Sequence, residues 1–341
     1  MLFNRLRKEV DDMVLHYGIV AVAAITDRFL HAVIEAGDTI EAIASRSLEK
    51  AQAKAVAYGV RKAYGAYEQV YTDPDVDIVY IAVNNANHGK EIKAALHHGK
   101  HVVCEKPIAL SCEEAKELFA LAKQKQLFLM EAQKSLFLPV TQDIRDILQK
   151  QTLGKLHQVV MSASFPNPSA AWMHDPLQGG VVYGSASYTI EYLQYLLQPH
   201  RIHASAMGTR EAKGAVDRVS MSFLFDDILV NSRISMNGET LQQALFYFDQ
   251  GYIRIPNYWK AREYILVVDG VEQRIQHPCV YEMEYEAAHI HACLKAGLLE
   301  SPILRAEQSV LCCFLVDEIL RQLSQQEVLC CIDPEERCYD I

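Results

Sequence analysis

The run His101-Val102-Val103-Cys104-Glu105-Lys106-Pro107 ends a strand-like apolar segment on a lysine, with a carboxylate before it and a proline after it. An ammonium at the carboxyl end of a buried strand can donate to a substrate hydroxyl or carbonyl oxygen. Partly desolvated, it can also carry a proton. A solvated lysine closing a strand is the competing reading, and the segment alone does not separate the two.

Two further segments could hold a dinucleotide. In the first, Gly18-Ile19-Val20-Ala21-Val22-Ala23-Ala24-Ile25-Thr26, a G-x-G-x-x-G fingerprint would fall on 21, 23 and 26, here Ala, Ala and Thr. Pyrophosphate binding needs a tight turn, close backbone approach and free amides at a helix N-terminus. Alanine keeps the amides of Ala21, Ala23, Ala24 and Ile25 and adds only methyl groups. A buried strand entering a helix accounts for the same residues. In the second, Ala44-Ser45-Arg46-Ser47 stands where an acidic residue would meet the adenosine ribose. A hydroxyl and a guanidinium with no carboxylate suit a 2′-phosphate, hence NADP rather than NAD. The alternative is a capping Ser47 and a solvated Arg46.

The elements that must position these residues are legible as alternation. Strands over 13–23, 39–44, 77–83, 101–104 and 127–131 interleave with helices over 25–36, 48–58, 89–98 and 113–124. This predicts an α/β, doubly wound parallel sheet, with ligands outside the carboxyl ends of its strands. After a helix over 138–149 and a strand over 157–165 comes a Pro/Ser/Gly-rich loop, then a helix over 186–197. Strand-like runs then follow one another without intervening helices: 202–207, 219–225, 228–235, 244–248, 252–255 and 264–268, with Asp269-Gly270 as a hairpin turn. Helices over 282–296 and 306–325 close the pattern. The second half therefore reads as α+β on an open, mainly antiparallel sheet. Domains are expected at 1–132 and 133–328, with a solvated tail over 329–341 and the final helices folding back on the first domain.

Composition bounds the function. The 341 residues carry a formal charge of -10 with no basic block, which argues against nucleic acid and anionic membrane as partners. Apolar stretches such as 18–25 and 311–316 are too short to span a bilayer, and the N-terminus lacks a secretory apolar core. The nine cysteines, at 104, 112, 279, 293, 312, 313, 330, 331 and 338, have neither disulfide-framework nor zinc spacing. Reduced cytoplasmic thiols and no metal are expected. His289 and His291 are two apart, so they share no helical face.

The order of Ala44-Ser45-Arg46, Asp73-Pro74-Asp75-Val76-Asp77, His88, Cys104-Glu105-Lys106-Pro107 and Met130-Glu131-Ala132 resembles the Gfo/Idh/MocA family, in its dihydrodiol dehydrogenase-like branch. The similarity runs from about residue 17 to 325. It implies a nicotinamide-dependent oxidoreductase with an N-terminal Rossmann domain. The C-terminal sheet would mediate a homodimer or homotetramer. Carried over residue by residue, Lys106 matches the lysine that contacts substrate and the nicotinamide ribose, with Glu105 and Pro107 as its neighbours. His88 matches a histidine beside the cofactor, with Asn84 in place of the usual Pro before it. Ser45 and Arg46 match the 2′-phosphate element. Tyr188 matches the acid–base catalyst.

The sequence departs from this family at Ala21, Ala23 and Gly184, the last in place of an aspartate four residues before Tyr188. Loss of that carboxylate leaves a less charged pocket. Tyr183, Ser185, Ser187, His174 and Asp175 stand near enough in sequence to compensate. Asn257-Tyr258-Trp259-Lys260 either covers the crevice or packs on the sheet. Cys104 lies beside Glu105-Lys106, where thiol modification would inactivate. The implied activity is hydride transfer between NADP (NAD possible) and a carbonyl or secondary alcohol of a sugar-like, cyclitol or dihydrodiol substrate. The alternatives are a nucleotide- or metabolite-binding protein without turnover, motivated by Ala21, Ala23 and Gly184, and a glycosidase using tightly held NAD.

Overall fold

The computed structural model describes residues 13–325 apart from 168. The expected tail over 329–341, with Cys330, Cys331 and Cys338, lies outside the described residues.

β1 (His16–Val20) is an apolar run buried on both faces, as a central parallel strand requires. Gly18 is forced there by contact: a Cβ would sit 2.3 Å from a Val70 methyl. α1 (Thr26–Glu35) follows and buries Phe29, Leu30, Ala32 and Val33, spaced as one helical face. β2 (Thr39–Ala44) leads to α2 (Leu48–Tyr58), whose N-terminus is capped by Ser47 accepting from the Lys50 amide. β3 (Lys62–Tyr64), α3 (Glu68–Tyr71), β4 (Ile78–Ile81), α4 (His88–His97), β5 (His101–Glu105), α5 (Cys112–Lys125) and β6 (Leu129–Ala132) complete the first unit. Its sheet is parallel, ordered β3-β2-β1-β4-β5-β6, the doubly wound arrangement expected. The strand order reverses between β1 and β4, and the ligand crevice opens there.

Two elements had no sequence signature. β3 is only three half-buried residues, and charge rather than apolar burial holds it. The Lys62 ammonium lies 2.9 Å from Asp73, 2.7 Å from Asp75 and 3.1 Å from Glu41. α3 is a single turn.

α6 (Pro139–Lys150) and β7 (Leu156–Ser164) start the second unit, and α7 (Gly180–Leu197) crosses it. The strands β8 (Ile202–Arg210), β9 (Val216–Phe225), β10 (Ile228–Ser235), β11 (Gln243–Phe248), β12 (Gly251–Pro256), β13 (Glu263–Val268) and β14 (Val271–Gln276) follow. They form an eight-stranded sheet ordered β14-β13-β12-β11-β7-β10-β9-β8, antiparallel except where β7 meets β10. Asp269 and Gly270 have φ of +51° and +76°, as a two-residue hairpin with both central residues left-handed requires. α8 (Glu284–Lys295) and α9 (Ala306–Ser324) return to the first unit. His291 on α8 reaches Asp38 at 2.8 Å, and Asp317 on α9 accepts the Cys112 amide at 2.9 Å. No described helix is long and apolar enough to cross a membrane.

α7 begins six residues earlier than the pattern suggested. The Gly-Ser-Ala-Ser run at 184–187 has weak helix propensity, but burial of Val181, Val182 and Ala186 overrides it. The helix can start at Gly180 because that residue has φ +71° and a Cβ there would sit 2.7 Å from the Val216 carbonyl oxygen. Gly180→Ala should therefore cost more than about 2 kcal/mol in urea denaturation. Gly184→Ala, whose Cβ would meet nothing closer than 3.7 Å, should gain up to about 1 kcal/mol from helix propensity. Equal effects at the two positions would refute this account of the helix start.

Candidate active site

Lys106 stands immediately beyond β5, and α7 lies across it. Its ammonium donates to the carbonyl of Gly184 and sits 4.6 Å from the centroid of the Tyr188 ring. Positions 184 and 188 share one helical face, so one element presents both contacts. On its other side the Tyr188 hydroxyl accepts from Lys134 Nζ at 2.9 Å, with that ammonium 5.1 Å from the ring centroid. A phenol thus lies between two ammonium groups at the carboxyl edge of the sheet.

Lys134 was missed by sequence reasoning. It lies two residues beyond the end of β6, and the rule that singled out Lys106 applies to the next strand as well. Only 6% of it is exposed. Burial pushes this ammonium toward neutrality, but Tyr188 and Glu105 outweigh burial and leave its pKa above the ordinary lysine value. The pocket is therefore not the less charged one expected from loss of the aspartate at 184. Lys134, just beyond β6, adds a second cation to it. Aromatic walls complete it. Phe165 stacks on Tyr188 at 6.5 Å, Trp259 lies 5.0 Å from Phe165, and the Trp172 indole lies beside Gly184. Trp259 lines the pocket, whereas Tyr258 is turned into the core against Tyr192 and Thr189.

The layer behind is carboxylate-rich and dry. Glu105 accepts from the Tyr80 hydroxyl at 2.6 Å. Glu131 accepts the Ile108 amide at 3.0 Å, and Glu191 accepts from Gln133 at 2.5 Å. Burial raises the pKa of both Glu131 and Glu191, and Glu191 is raised further by its neighbour Glu131. His88 was expected beside the cofactor. It is fully enclosed, with Nδ1 2.7 Å from the Pro107 carbonyl oxygen and Nε2 3.1 Å from that of Val83. Burial lowers its pKa, so the ring is neutral and its single N–H donates to one of these two carbonyls. It braces the segment carrying Lys106 from behind. Cys104, expected to be open to modification, is also fully enclosed, and burial pushes its thiol well above the ordinary range.

The loop after β1 fits a pyrophosphate. Ala21 has φ +81°, the left-handed conformation that the first glycine of such a loop normally supplies. Thr26 fixes the turn, its hydroxyl accepting from the Ala23 amide at 3.0 Å and donating to the Ala21 carbonyl at 3.2 Å. Ala23 and Ile25 are half-buried and Ala24 is exposed, at the end where α1 presents its first-turn amides. Left-handed alanine costs roughly 1–2 kcal/mol, and a glycine returns part of that to chain entropy. Ala21→Gly should thus stabilise the protein by about 0.5–1 kcal/mol in chemical denaturation. A loss of stability would mean the loop is not strained.

At the end of β2, Ser45 is nearly buried and accepts from the Ser47 amide, while Arg46 is exposed beside the Tyr67 phenol. Asn84 is exposed at the entry of a short turn (Asn85–Asn87). Gln178 bonds to that turn from the second unit, through Asn85 at 2.9 Å and the Ala86 amide at 3.1 Å.

Other chemistry-bearing residues are committed elsewhere. His289 and Cys293, 3.2 Å apart, resemble a base and nucleophile. Burial lowers the histidine to about 4 and raises the thiol to about 12, so both are neutral and inert. His174 pairs with Glu211 at 2.9 Å, Asp175 accepts from Gln178 at 2.7 Å, and Tyr183 faces Asp317 and Cys313. Ser185 and Ser187 are buried in α7. Among the described residues no group of three or more His, Cys, Asp or Glu is placed to hold a metal ion.

Comparison with known proteins identifies the family and the fold. Residues 15–133 match the model of the oxidoreductase family with an NAD-binding Rossmann fold, and residues 141–254 match the GFO/IDH/MocA C-terminal domain. Trans-1,2-dihydrobenzene-1,2-diol dehydrogenase of Xenopus laevis is 29% identical over 333 residues, covering 91% of this chain and 98% of that protein. The Homo sapiens enzyme of the same name is 29% identical over 334 residues, covering 91% and 97%. In fold, the chain is similar to a 3-ketoreductase from Actinomadura kijaniata in complex with NADP, with a TM-score of 0.83, 22% identity and coverage of 91% and 98%. It is also similar to a levoglucosan dehydrogenase in complex with NADH and levoglucosan, with a TM-score of 0.82, 17% identity and coverage of 92% and 98%. The chain belongs to the Gfo/Idh/MocA family of oxidoreductases.

Proposed function

We propose that this protein is an NADP-preferring dehydrogenase or reductase acting on a carbonyl or secondary alcohol of a sugar-like, cyclitol or dihydrodiol substrate. The observation that carries the reading is the phenol of Tyr188 between the ammonium groups of Lys106 and Lys134, at the carboxyl edge of the sheet. Bound nicotinamide would supply the hydride and accept it in the reverse direction. The chain's own residues hold the substrate and handle the proton. Tyr188 donates its hydroxyl proton to the oxygen of a carbonyl being reduced, and takes it back when an alcohol is oxidised. Lys106 donates to the same oxygen and to the ribose. Glu105 and His88 fix the backbone on either side of Lys106, and Phe165, Trp172 and Trp259 keep water from the reacting carbon. A binding protein without turnover has no use for a proton donor held by two cations, which favours catalysis.

The amides of Ala24 and Ile25 would receive the pyrophosphate, on a turn that Ala21 and Ala23 shape by donating their own amides to the Ala44 carbonyl and the Thr26 hydroxyl; Asn84 would lie along the nicotinamide half, and Ser45 with Arg46 would meet the 2′-phosphate. Arg46 pairs with no carboxylate among the described residues and is free to do so. Arg46→Asp is expected to weaken NADPH binding at least tenfold and NADH binding less than threefold, read by nicotinamide fluorescence titration. Equal losses would remove the 2′-phosphate role. If neither coenzyme binds below millimolar concentration, the oxidoreductase reading fails.

We also propose a homodimer or homotetramer through the eight-stranded sheet. Leu224, Leu229, Gln158, Tyr247 and Tyr252 lie in register across neighbouring strands. Leu224, Leu229 and Tyr247 are exposed, which suits an interface core. Light scattering on Leu229→Glu should show a shift to monomer. An unchanged mass would place any contact elsewhere.

A further inference from the structure

Lys134 is a buried ammonium with three donors beside the Tyr188 ring, and its one hydrogen bond among the described residues goes to Tyr188. No carboxylate among the described residues pairs with it, although an unpaired buried charge is costly. The nearest negative groups are already engaged. Glu105 takes the Tyr80 hydroxyl, and Glu282 pairs with Arg28 at 2.9 Å and Arg262 at 3.8 Å. Burial and repulsion from Glu105 push the Glu286 carboxyl well above its ordinary value, against the pull of Lys134. The second ammonium, Lys106, flanks the same phenol and donates to a neutral backbone carbonyl. Position 184, on the pocket face of α7, carries no side chain, and a Cβ there would meet only Trp172, at 3.7 Å. The pocket therefore holds two cations, a phenol and aromatic walls; Glu105 and Glu282 act on Lys134 at longer range, but among the described residues no carboxylate lies within ion-pair distance of either ammonium.

We propose that Lys134 receives a carboxylate of the substrate, so that the enzyme acts on hydroxy or oxo compounds that also carry an anionic group close to the reacting carbon, as oxidised sugars do. This rests on the oxidoreductase reading for the reaction but not for the binding. The two remaining N–H groups of Lys134 take the carboxylate oxygens, while Tyr188 and Lys106 take the reacting oxygen. An anion between the two ammonium groups relieves their mutual repulsion, which a neutral polyol cannot do.

The test uses the chain's own probes. Its two tryptophans, Trp172 and Trp259, both lie at this pocket, so intrinsic fluorescence reports occupancy without turnover. Glucuronate, gluconate and lactate are titrated against glucose, glucitol and propane-1,2-diol, with and without NADPH. At least one anion should bind ten times or more tighter than its neutral counterpart. Lys134→Met and Lys134→Gln should each reduce that ratio to about twofold or less, and Lys134→Arg should keep it. In turnover, the ratio of KM for the anionic substrate to KM for its neutral counterpart should rise at least tenfold in Lys134→Met, whatever loss of kcat the two substrates share. Failure of every anion to outbind its neutral counterpart would overturn the proposal, as would loss of kcat on both classes with the ratio intact. Failure of NADPH to bind the wild-type protein instead removes the oxidoreductase reading, and the tryptophan titration still decides the anion site.

Discussion

Lys106→Met is expected to lower kcat by about 10³-fold while NADPH affinity stays within threefold, measured by initial rates and nicotinamide fluorescence. Methionine matches the length of the lysine stem and removes only the charge and the donors. What disappears is the ammonium 4.6 Å from the Tyr188 ring and its bond to the Gly184 carbonyl. Tyr188 itself should stay in place, because Lys134 holds its hydroxyl from the other side and Phe165 stacks on its ring. The coenzyme phosphates would be held elsewhere, by the loop after β1 and by Arg46. The loss should therefore fall on the chemical step and not on coenzyme binding. Turnover within tenfold of wild type would remove Lys106 from the mechanism. A parallel collapse of NADPH affinity would make it a coenzyme anchor instead.

How much of this could be read in the sequence depends on whether a residue's role is local. β2 and α2 have the bounds expected of them, because their apolar periodicity and the Ser47 cap are local signals. Lys106 was visible because a lysine ending an apolar strand is itself a local pattern. Ala21 looked like a defect. The positive φ at +81° shows that the chain keeps the glycine conformation at an energetic cost, and no composition argument reveals that. β3 was invisible because charges from three separate segments hold it. Lys134 was within reach of the strand-end rule that found Lys106, but what it does depends on Tyr188, 54 residues away. His88 carries a second, non-local feature: besides the place beside the cofactor that the resemblance implies, it is buried with its ring nitrogens facing the Pro107 and Val83 carbonyls.

The second large effect concerns the buried carboxyl pair that ties these elements together. Glu131 on β6 holds the Ile108 amide, two residues after Lys106. Glu191 on α7, one turn beyond Tyr188, holds Gln133 next to Lys134. Each is at most 1% exposed, and burial raises both carboxyls, Glu191 also by repulsion from Glu131, so the pair is expected to hold one proton between them. A carboxyl whose pKa is raised by folding gives stability that is complete below the ordinary carboxylate range and is lost as pH rises toward the folded value. Each such proton costs about 1.4 kcal/mol of stability per pH unit across that window. Glutamine at 191 copies the protonated acid: its amide N–H donates to Glu131, and its carbonyl accepts from Gln133. Glu191→Gln should therefore match wild type in urea denaturation near pH 5 and exceed it increasingly from pH 6 to 8, with a slope shallower by about one proton. Glu286, also raised by burial, and His88, lowered by it, titrate in both proteins, so the difference between the two profiles isolates the pair. Glu191→Ala, which takes this partner from Glu131 and from the Gln133 amide, should lie about 3 kcal/mol below Glu191→Gln at every pH. Parallel pH profiles for wild type and Glu191→Gln would show that no proton is shared. The joint between β5, β6 and α7 would then have to be held by packing alone.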